Sequence, residues 1–550
     1  MPFRTSSLFI APLLAVGACS DTHSVDGPGQ SVAPNAEGGR GGGGSSGENV
    51  APPGAKADAG GADGGSPEPP PEPGLGYLKR SPLGGIEALY YDPAAGKSVS
   101  LAAQLSPSDL RRPWRGGRPF AFMRQVSNLP TVFKGYSGKS GAAKAAFTLS
   151  PKSASSPQVA VGVDTAGAAY YAGELDQRGF VDFFKDGVRL SQGPGRVAAS
   201  ARLPVSLVDA RGGSVAWSVG FSLDEKLMLR WIGQASEEEV ESDSARGGGG
   251  GGASFSPTGH CFAFPAKIIS PTAQIGLGVR CKGEPTRVLA STSGARIGNA
   301  QDSVLWHPTL DRLAAMDYVV GNAKYVSIAS RAGAAWSLER VALPADAPAA
   351  AIALAPSGRD LYVATGLADA TRLFAFSFGG AAPTPDQARS IAVGPQVTIT
   401  MSGFSSADGS LALIRRSSQG SAGDVALVAP DDSVKSIFST TELIKEARWS
   451  PDGQRLAVRV SGGIPPLVPE TADLYLVDAA GGNARKLNEP GQLVRAMKWS
   501  DTSGHLGFLA DADGATGRFY VANPAAGAAP GAPIDSDVTG FLSDPPRAPF

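Results

Sequence analysis

The ten residues Trp449-Ser450-Pro451-Asp452-Gly453-Gln454-Arg455-Leu456-Ala457-Val458 constrain the fold more than any other stretch, because weaker copies of them recur. A large apolar residue opens each copy and a second lies seven positions on. The pairs are Phe255 and Phe262, Trp306 and Leu313, Leu354 and Leu361, Phe404 and Leu411, Trp449 and Leu456, Trp499 and Leu506, with a fainter copy at Phe221 and Met228. Between the members stand turn formers such as Pro257-Thr258-Gly259, Pro356-Ser357-Gly358, Asp408-Gly409 and Pro451-Asp452-Gly453. Proline presets φ for a turn, and glycine takes φ > 0 without steric cost. Each copy therefore reads as a β-hairpin whose two strands carry the apolar anchors.

Successive anchors are separated by 45 to 51 residues, the length of one four-stranded propeller blade. A third strand follows each hairpin, as in Tyr325-Val326-Ser327-Ile328, Leu373-Phe374-Ala375-Phe376, Val425-Ala426-Leu427-Val428, Leu474-Tyr475-Leu476-Val477 and Phe519-Tyr520-Val521. These runs are β-branched or aromatic. One such sheet cannot bury both faces alone, whereas a ring of them can. The expected fold is all-β: a β-propeller of seven or eight four-stranded blades, preceded by a disordered tether. The repeat anchors Phe255, Trp306, Leu354, Phe404, Trp449 and Trp499 are expected to be blade core. Only Thr441 to Ala447 has a helical look.

Trp449 to Val458 closely resembles the TolB-type β-propeller repeat, which is also found in the propellers of dipeptidyl-peptidase-like enzymes. The resemblance is good over 255–525 and faint over 77–254. It implies the fold, and propellers host many unrelated activities. If it extended to function, the partners would be envelope proteins near the outer membrane and peptidoglycan.

The chain opens like a secretion signal over residues 1–18. Arg4 gives the positive start, and Leu8 to Val16 is an apolar run too short to span a bilayer. Val16-Gly17-Ala18-Cys19 resembles a bacterial lipobox, which implies lipidation at Cys19, with Ser20 pointing to the outer membrane. Residues 19–76 read as a Gly/Pro-rich tether: Gly41 to Gly47 is flexible, and Pro67-Glu68-Pro69-Pro70-Pro71-Glu72-Pro73 is a stiff polyproline stretch. Its r.m.s. span is about 40 Å. Residues 77–550 form the expected propeller. Its opening, Ala88 to Leu101, reads as a late blade strand, a hairpin and a further strand, with no anchor strand before it. It is expected to pair with the far end of the chain and close the ring. Gln158 to Val163 and Ser214 to Val219 read as further strands, and Ser236 to Gly252 as a loop insertion.

Candidate chemistry is sparse. With 49 basic and 50 acidic residues the formal net charge is -1, and no basic stretch points to nucleic acid. Cys261 and Cys281 fall opposite each other if the hairpin turns near Pro271, as a disulfide or as two buried thiols. His260, His307 and His505 lie in turns of different repeats, and no acidic residue recurs in register with them, so no metal site and no cofactor are expected. Asp511-Ala512-Asp513-Gly514 lacks the further ligands of a calcium loop and reads as a hairpin turn. Gly43-Gly44-Ser45-Ser46-Gly47 matches G-x-S-x-G only inside a glycine tract, and Phe133 stands where a phosphate-binding loop ending in Gly138-Lys139-Ser140 needs glycine. The sequence ends soon after the last repeat, so no α/β-hydrolase domain is expected. Arg415, Arg416, Arg455 and Arg459 read as solvated strand edges.

These readings give an expectation of a lipid-anchored cell-envelope propeller. It would act as a non-catalytic scaffold that binds a protein or peptide, meet the membrane through its anchor and bind no nucleic acid. The competing readings are a polysaccharide lyase or glycoside-acting enzyme at the propeller mouth, and a surface glycan-binding module.

Overall fold

A computed structural model describes residues 74–105, the strands between 122 and 240, and residues 253–542 apart from short connecting loops. Chain contacts separate Met1–Ala62, none of which is described, from Asp63–Phe550, which holds every strand. The expected signal peptide, the lipidation residue Cys19 and the tether up to Pro73 thus lie outside the described residues, as do the Gly43 to Gly47 and Gly138 to Ser140 motifs.

The repeated hairpins are present, and six anchor pairs stand directly opposite one another across antiparallel strands: Phe255 with Phe262, Trp306 with Leu313, Leu354 with Leu361, Phe404 with Leu411, Trp449 with Leu456 and Trp499 with Leu506. Seven-residue spacing produces this because every one of these turns is closed by the same bond, from N of the residue after the first anchor to O of the residue before the second. Ser450 N bonds to Arg455 O and Gly453 N to Ser450 O, both at 2.8 Å, and the same two bonds recur at Ser256 and Ala355. The turn glycines take φ of 69° (Gly259), 73° (Gly358), 78° (Gly409) and 68° (Gly453), the left-handed region where a Cβ is penalised. The fainter seventh pair is corrected. Phe221 lies outside the described residues, and Met228 faces Trp217 between strands Ser214–Val219 and Lys226–Arg230. Those are the second and third strands of a blade that begins at Val205–Arg211, so that copy is displaced by one strand.

Five sheets have four strands in simple sequence order. A nine-stranded sheet is two blade-sized units, those of Trp306 and Leu354, joined by the single pair Ala323–Ala349. A three-stranded sheet holds Phe122–Asn128, Thr131–Tyr136 and Ala143–Leu149. The seven-stranded sheet joins the two ends of the described chain. Its strand Leu75–Arg80 pairs with Ile86–Asp92 on one side and with Asp535–Phe541 on the other, Tyr77 facing Phe541. A strand therefore precedes the Ala88 hairpin, contrary to the sequence reading, and it begins inside the stretch assigned to the tether. Leu75 and Tyr77 are buried against Phe519 and Phe541, which makes Leu75 core. The expected pairing with the far end of the chain is present.

Thr441 to Ala447 is not helical. Leu443–Trp449 is the first strand of the Trp449 blade. A bulge between Ile444 and Glu446 shifts the strand phase by one, so Ile444 and Ala447 are both buried although three residues apart. A bulged strand thus mimics helical spacing. The Ser236 to Gly252 stretch is also not wholly a loop: Glu238–Val240 is the outer strand of its blade, and Trp231 Nε1 donates to Glu238 at 2.5 Å.

The core lies between blades. One cluster joins Ile414, Val425 and Phe438 of the Phe404 blade to Leu456, Val458 and Val477 of the Trp449 blade. The next joins Ala457 and Leu476 to Trp499, Leu506 and Phe508. Each sheet therefore buries both faces only in the ring. Among the described residues no helix is long and apolar enough to cross a membrane.

Candidate functional site

The first strands of consecutive blades touch one another. Val159–Val163 contacts Val205–Arg211, which contacts Ser254–Phe255; Ala349–Leu354 contacts Val397–Phe404, which contacts Leu443–Trp449. Trp499 Nε1 donates to Arg448 O at 3.1 Å, which ties the next first strand to the same series. These strands form the inner wall of the ring. In a packed centre they would be buried, yet no residue of Val397–Phe404 is. Thr400, Gly403 and Arg448 are exposed. Solvent therefore reaches the inner wall at Val397–Phe404 and at Arg448.

Charge on that wall is uneven. Ala349–Leu354 and Val397–Phe404 carry no charged residue. Leu443–Trp449 carries Lys445, Glu446 and Arg448, and Val494–Trp499 carries Arg495 and Lys498. Arg448 and Lys498 each stand one residue before a tryptophan anchor, and the equivalent positions elsewhere are Gly403, Ala353, Leu305 and Ser254. Glu446 is the one carboxylate on these two strands. It pairs with Arg448 and with Arg459, the latter at 3.4 Å. Arg459 Nη1 also donates to Arg495 O at 2.8 Å. Nearby acids are engaged elsewhere: Asp424 pairs with Arg415, and Asp473 with Lys486 at 2.7 Å. These two strands thus carry four cations and one carboxylate, on a chain that is nearly neutral as a whole.

The residues singled out from sequence fall into different places. Phe255, Trp306 and Trp499 are buried, while Leu354, Phe404 and Trp449 are half-buried at the edge of the same packing. Cys261 and Cys281 are bonded, with Sγ atoms 2.05 Å apart. They face each other between Cys261–Ile268 and Gln274–Cys281. Lys282 N bonds to His260 O, which makes Cys261 and Cys281 a non-hydrogen-bonded pair, the closer of the two antiparallel pairings. The disulfide packs beside Val304, Trp306 and Ala315 of the next blade.

Arg415, Arg416, Arg455 and Arg459 are not solvated edges. Arg415 is held by Asp424 and Val393 O, Arg455 by Asp478, and Arg416 donates to Ile444 O of the following blade at 2.8 Å. His307 is a turn residue. Its Nδ1 accepts from Thr309 N (3.1 Å) and Leu310 N (2.9 Å), the task that the Ser405 hydroxyl performs for Ala407 N (3.1 Å) and Asp408 N (3.4 Å). Burial and the neighbouring Arg312 hold its pKa below the ordinary histidine value, against an opposing hydrogen bond to the Gly358 backbone. Among the described residues no group of histidines, cysteines and carboxylates is arranged to hold a metal ion. Asp513 pairs with Thr516 at the end of the hairpin strands Leu506–Asp513 and Thr516–Ala522. Sequence reading missed Lys445, Glu446, Arg448, Arg495 and Lys498. The signal was a cation at the position before an anchor in two consecutive repeats only.

No protein-family model and no curated protein matches the sequence. Solved structures do share the fold. A Bacteroides ovatus protein described as a dipeptidyl aminopeptidase IV is 10% identical, with a TM-score of 0.40 over 80% of this chain and 63% of its own. Porphyromonas gingivalis dipeptidyl peptidase 4 is 13% identical, with a TM-score of 0.43 over 78% and 58%. An Agrobacterium tumefaciens protein described as TolB is 15% identical, with a TM-score of 0.27 over 48% and 88%. This chain thus spans less than two thirds of either peptidase. The expectation of a non-catalytic binding scaffold is withdrawn, because the solved structures similar to this chain include two described as dipeptidyl peptidases, and a fold of this class does not by itself fix an activity. What the sequence and structure establish together is a β-propeller, all-β and built on the repeat that Trp449 to Val458 displays most clearly.

Proposed function

We propose that this ring is the substrate-admitting part of a peptide-processing enzyme. An extended peptide runs along the inner wall, and the bond-breaking chemistry is supplied outside the described residues. The observation that carries this reading is the wet inner wall: Val397–Phe404 lies in the middle of the ring and has no buried residue. A first strand that served only to pack would be apolar and dry.

The test compares envelope fractions of the producing cell with and without this chain, each given an unstructured peptide pool. Slower release of short fragments without the chain, restored by adding it back, is the expected result. Identical digestion in both fractions overturns the reading.

We further propose that the chain is exported and held at the cell envelope, in the outer membrane, by a lipid on Cys19, with residues 19–76 as the tether. The Val16-Gly17-Ala18-Cys19 sequence supports this, and the Cys261–Cys281 disulfide suits an oxidising compartment. Fatty-acid labelling that is lost in Cys19→Ala is expected; equal labelling of the variant sinks the anchor.

A further inference from the structure

We infer that the seam between the Trp306 and Leu354 blades is an acid-operated latch, released when His307 takes up a proton; the inference is independent of the peptide-admitting reading above. The residue after the first anchor is Ser256, His307, Ala355, Ser405, Ser450 or Ser500 in the six repeats, and all but Ala355 are buried polar groups. Each serine hydroxyl accepts from a backbone N–H of its own turn, and Ser405 also donates to Gly453 O of the following blade. At His307 the same work is done by an imidazole. It is the one ionisable side chain in this series, so one seam of the ring answers to pH.

Both ring nitrogens are committed. Nδ1 accepts from Thr309 N and Leu310 N. Nε2 faces Gly358 in the turn of the next blade, where an added Cβ would lie only 2.4 Å from it. The neutral ring therefore carries its proton on Nε2 and bonds the Gly358 backbone with it. A second proton has to sit on Nδ1, pointing at two N–H donors. Protonation thus breaks both bonds within the turn and swings the ring off Gly358. The surrounding charges do not offset this. Arg312, on the same hairpin, acts on the ring as a like charge. It also donates to Phe378 O and to Gly380 O (2.6 Å) of the next blade, and the His307 ring and the Arg312 guanidinium each lie 5.8 Å from the Phe378 ring. In the facing turn Arg359 is exposed and pairs with Asp360 at 3.6 Å. Asp360 is held by Arg389 and Asp311 by Arg331, while Glu339 acts on Arg312. The same two blades are joined by the backbone pair Ala323–Ala349. Ala349 and Leu354 stand at opposite ends of one strand, roughly 15 Å apart. The seam therefore has a hinge at one face of the ring and the His307 contact at the other.

The test is amide hydrogen exchange of the full chain, read by mass spectrometry between about pH 7.5 and pH 5 and corrected for the intrinsic rate. Peptides covering 307–312, 356–359 and 378–380 should lose protection by up to roughly tenfold per pH unit below about 6.5. Those covering the serine turns 405–410 and 450–455 should keep theirs. His307→Ser, which installs the side chain that other blades use, should abolish the response, while His505→Gln, in the turn of another blade, should leave it intact. Thermal melts check that the variants fold, and the comparison between turns of the wild-type chain stands without them. Unchanged protection of 307–312 in acid overturns the proposal. Equal loss at every turn shows general loosening in place of one seam and also overturns it, as does a response that survives in a folded His307→Ser chain.

Discussion

At the scale of single residues, the contacts that join blades are made by turn residues that also shape their own hairpins. Ser405 Oγ donates to Gly453 O of the next blade at 3.1 Å, and the His307 ring faces Gly358 in the same way. A Cβ on Gly453 would lie 2.5 Å from Ala407 N and 2.6 Å from Ser405 Oγ, while one on Gly409 would meet nothing within 4 Å. Both glycines have positive φ. Gly409→Ala should therefore cost only the backbone penalty of about 1–2 kcal/mol. Gly453→Ala should cost at least about 1 kcal/mol more, because neighbouring backbone must move. Thermal melts of the two variants check the ordering, and equal losses would refute the close approach.

His307 gives a pH dependence of definite sign. Its folded pKa is lowered from 6.5, chiefly by burial. The stability it contributes is complete above the unfolded value and is lost as pH falls toward the folded one, because the unfolded chain takes up a proton that the folded ring refuses. Burial lowers His505 as well, with the same sign. Stability should fall as the pH drops below about 6.5, and His307→Ser should reduce that slope. Denaturant midpoints across this range are the measurement, and an unchanged slope would exclude His307 as a contributor.

At the scale of the element, a tryptophan anchor does more than fill space. Trp449 Nε1 donates to Gly403 O at 3.0 Å, Trp499 Nε1 to Arg448 O at 3.1 Å and Trp306 Nε1 to Ser254 O at 3.2 Å. Each indole thus ties its first strand to that of the preceding blade, so the anchor fixes blade spacing along the inner wall. Trp499→Phe keeps most of the apolar surface and loses this bond, an expected cost of about 0.5–1.5 kcal/mol. Trp499→Ala opens a cavity and should cost about 3–5 kcal/mol. The disulfide acts within one hairpin, closing a separation of 20 residues. Replacing both cysteines by alanine should lower stability by about 2–4 kcal/mol, visible as a lower melting temperature that reducing agent no longer changes.

At the scale of the whole molecule, stability depends on closing the ring. Strand Leu75–Arg80 lies between Ile86–Asp92 and Asp535–Phe541. Tyr77 donates to Asp535 at 2.9 Å, and Lys79 pairs with the same carboxylate at 2.5 Å. Removing residues 531–550 would leave Leu75, Tyr77 and Phe519 without their partners Val538 and Phe541 and expose a sheet edge. That truncation is expected to aggregate or to lose cooperative unfolding, as read by size-exclusion chromatography and thermal melts. A monomer with an unchanged melt would show that the ends do not lock the ring.

The sequence by itself determined the hairpins, their period and the all-β class. Those depend on interactions within a few residues: an anchor, a turn with one glycine at positive φ and a second anchor seven positions on. It also placed Cys261 opposite Cys281, because one hairpin axis fixes both positions. Local reading failed where a bulge altered the period, as at Ile444 and Ala447, and where the copy was weak, as at Met228. Only the tertiary structure decided which strands meet across the ring. Tyr77 and Phe541 pair from opposite ends of the described chain, and the Trp499 indole reaches the Arg448 backbone of the preceding blade. No short-range energy term links such residues. Their proximity comes from the stacking of whole sheets, which buries the faces that no single blade can bury alone.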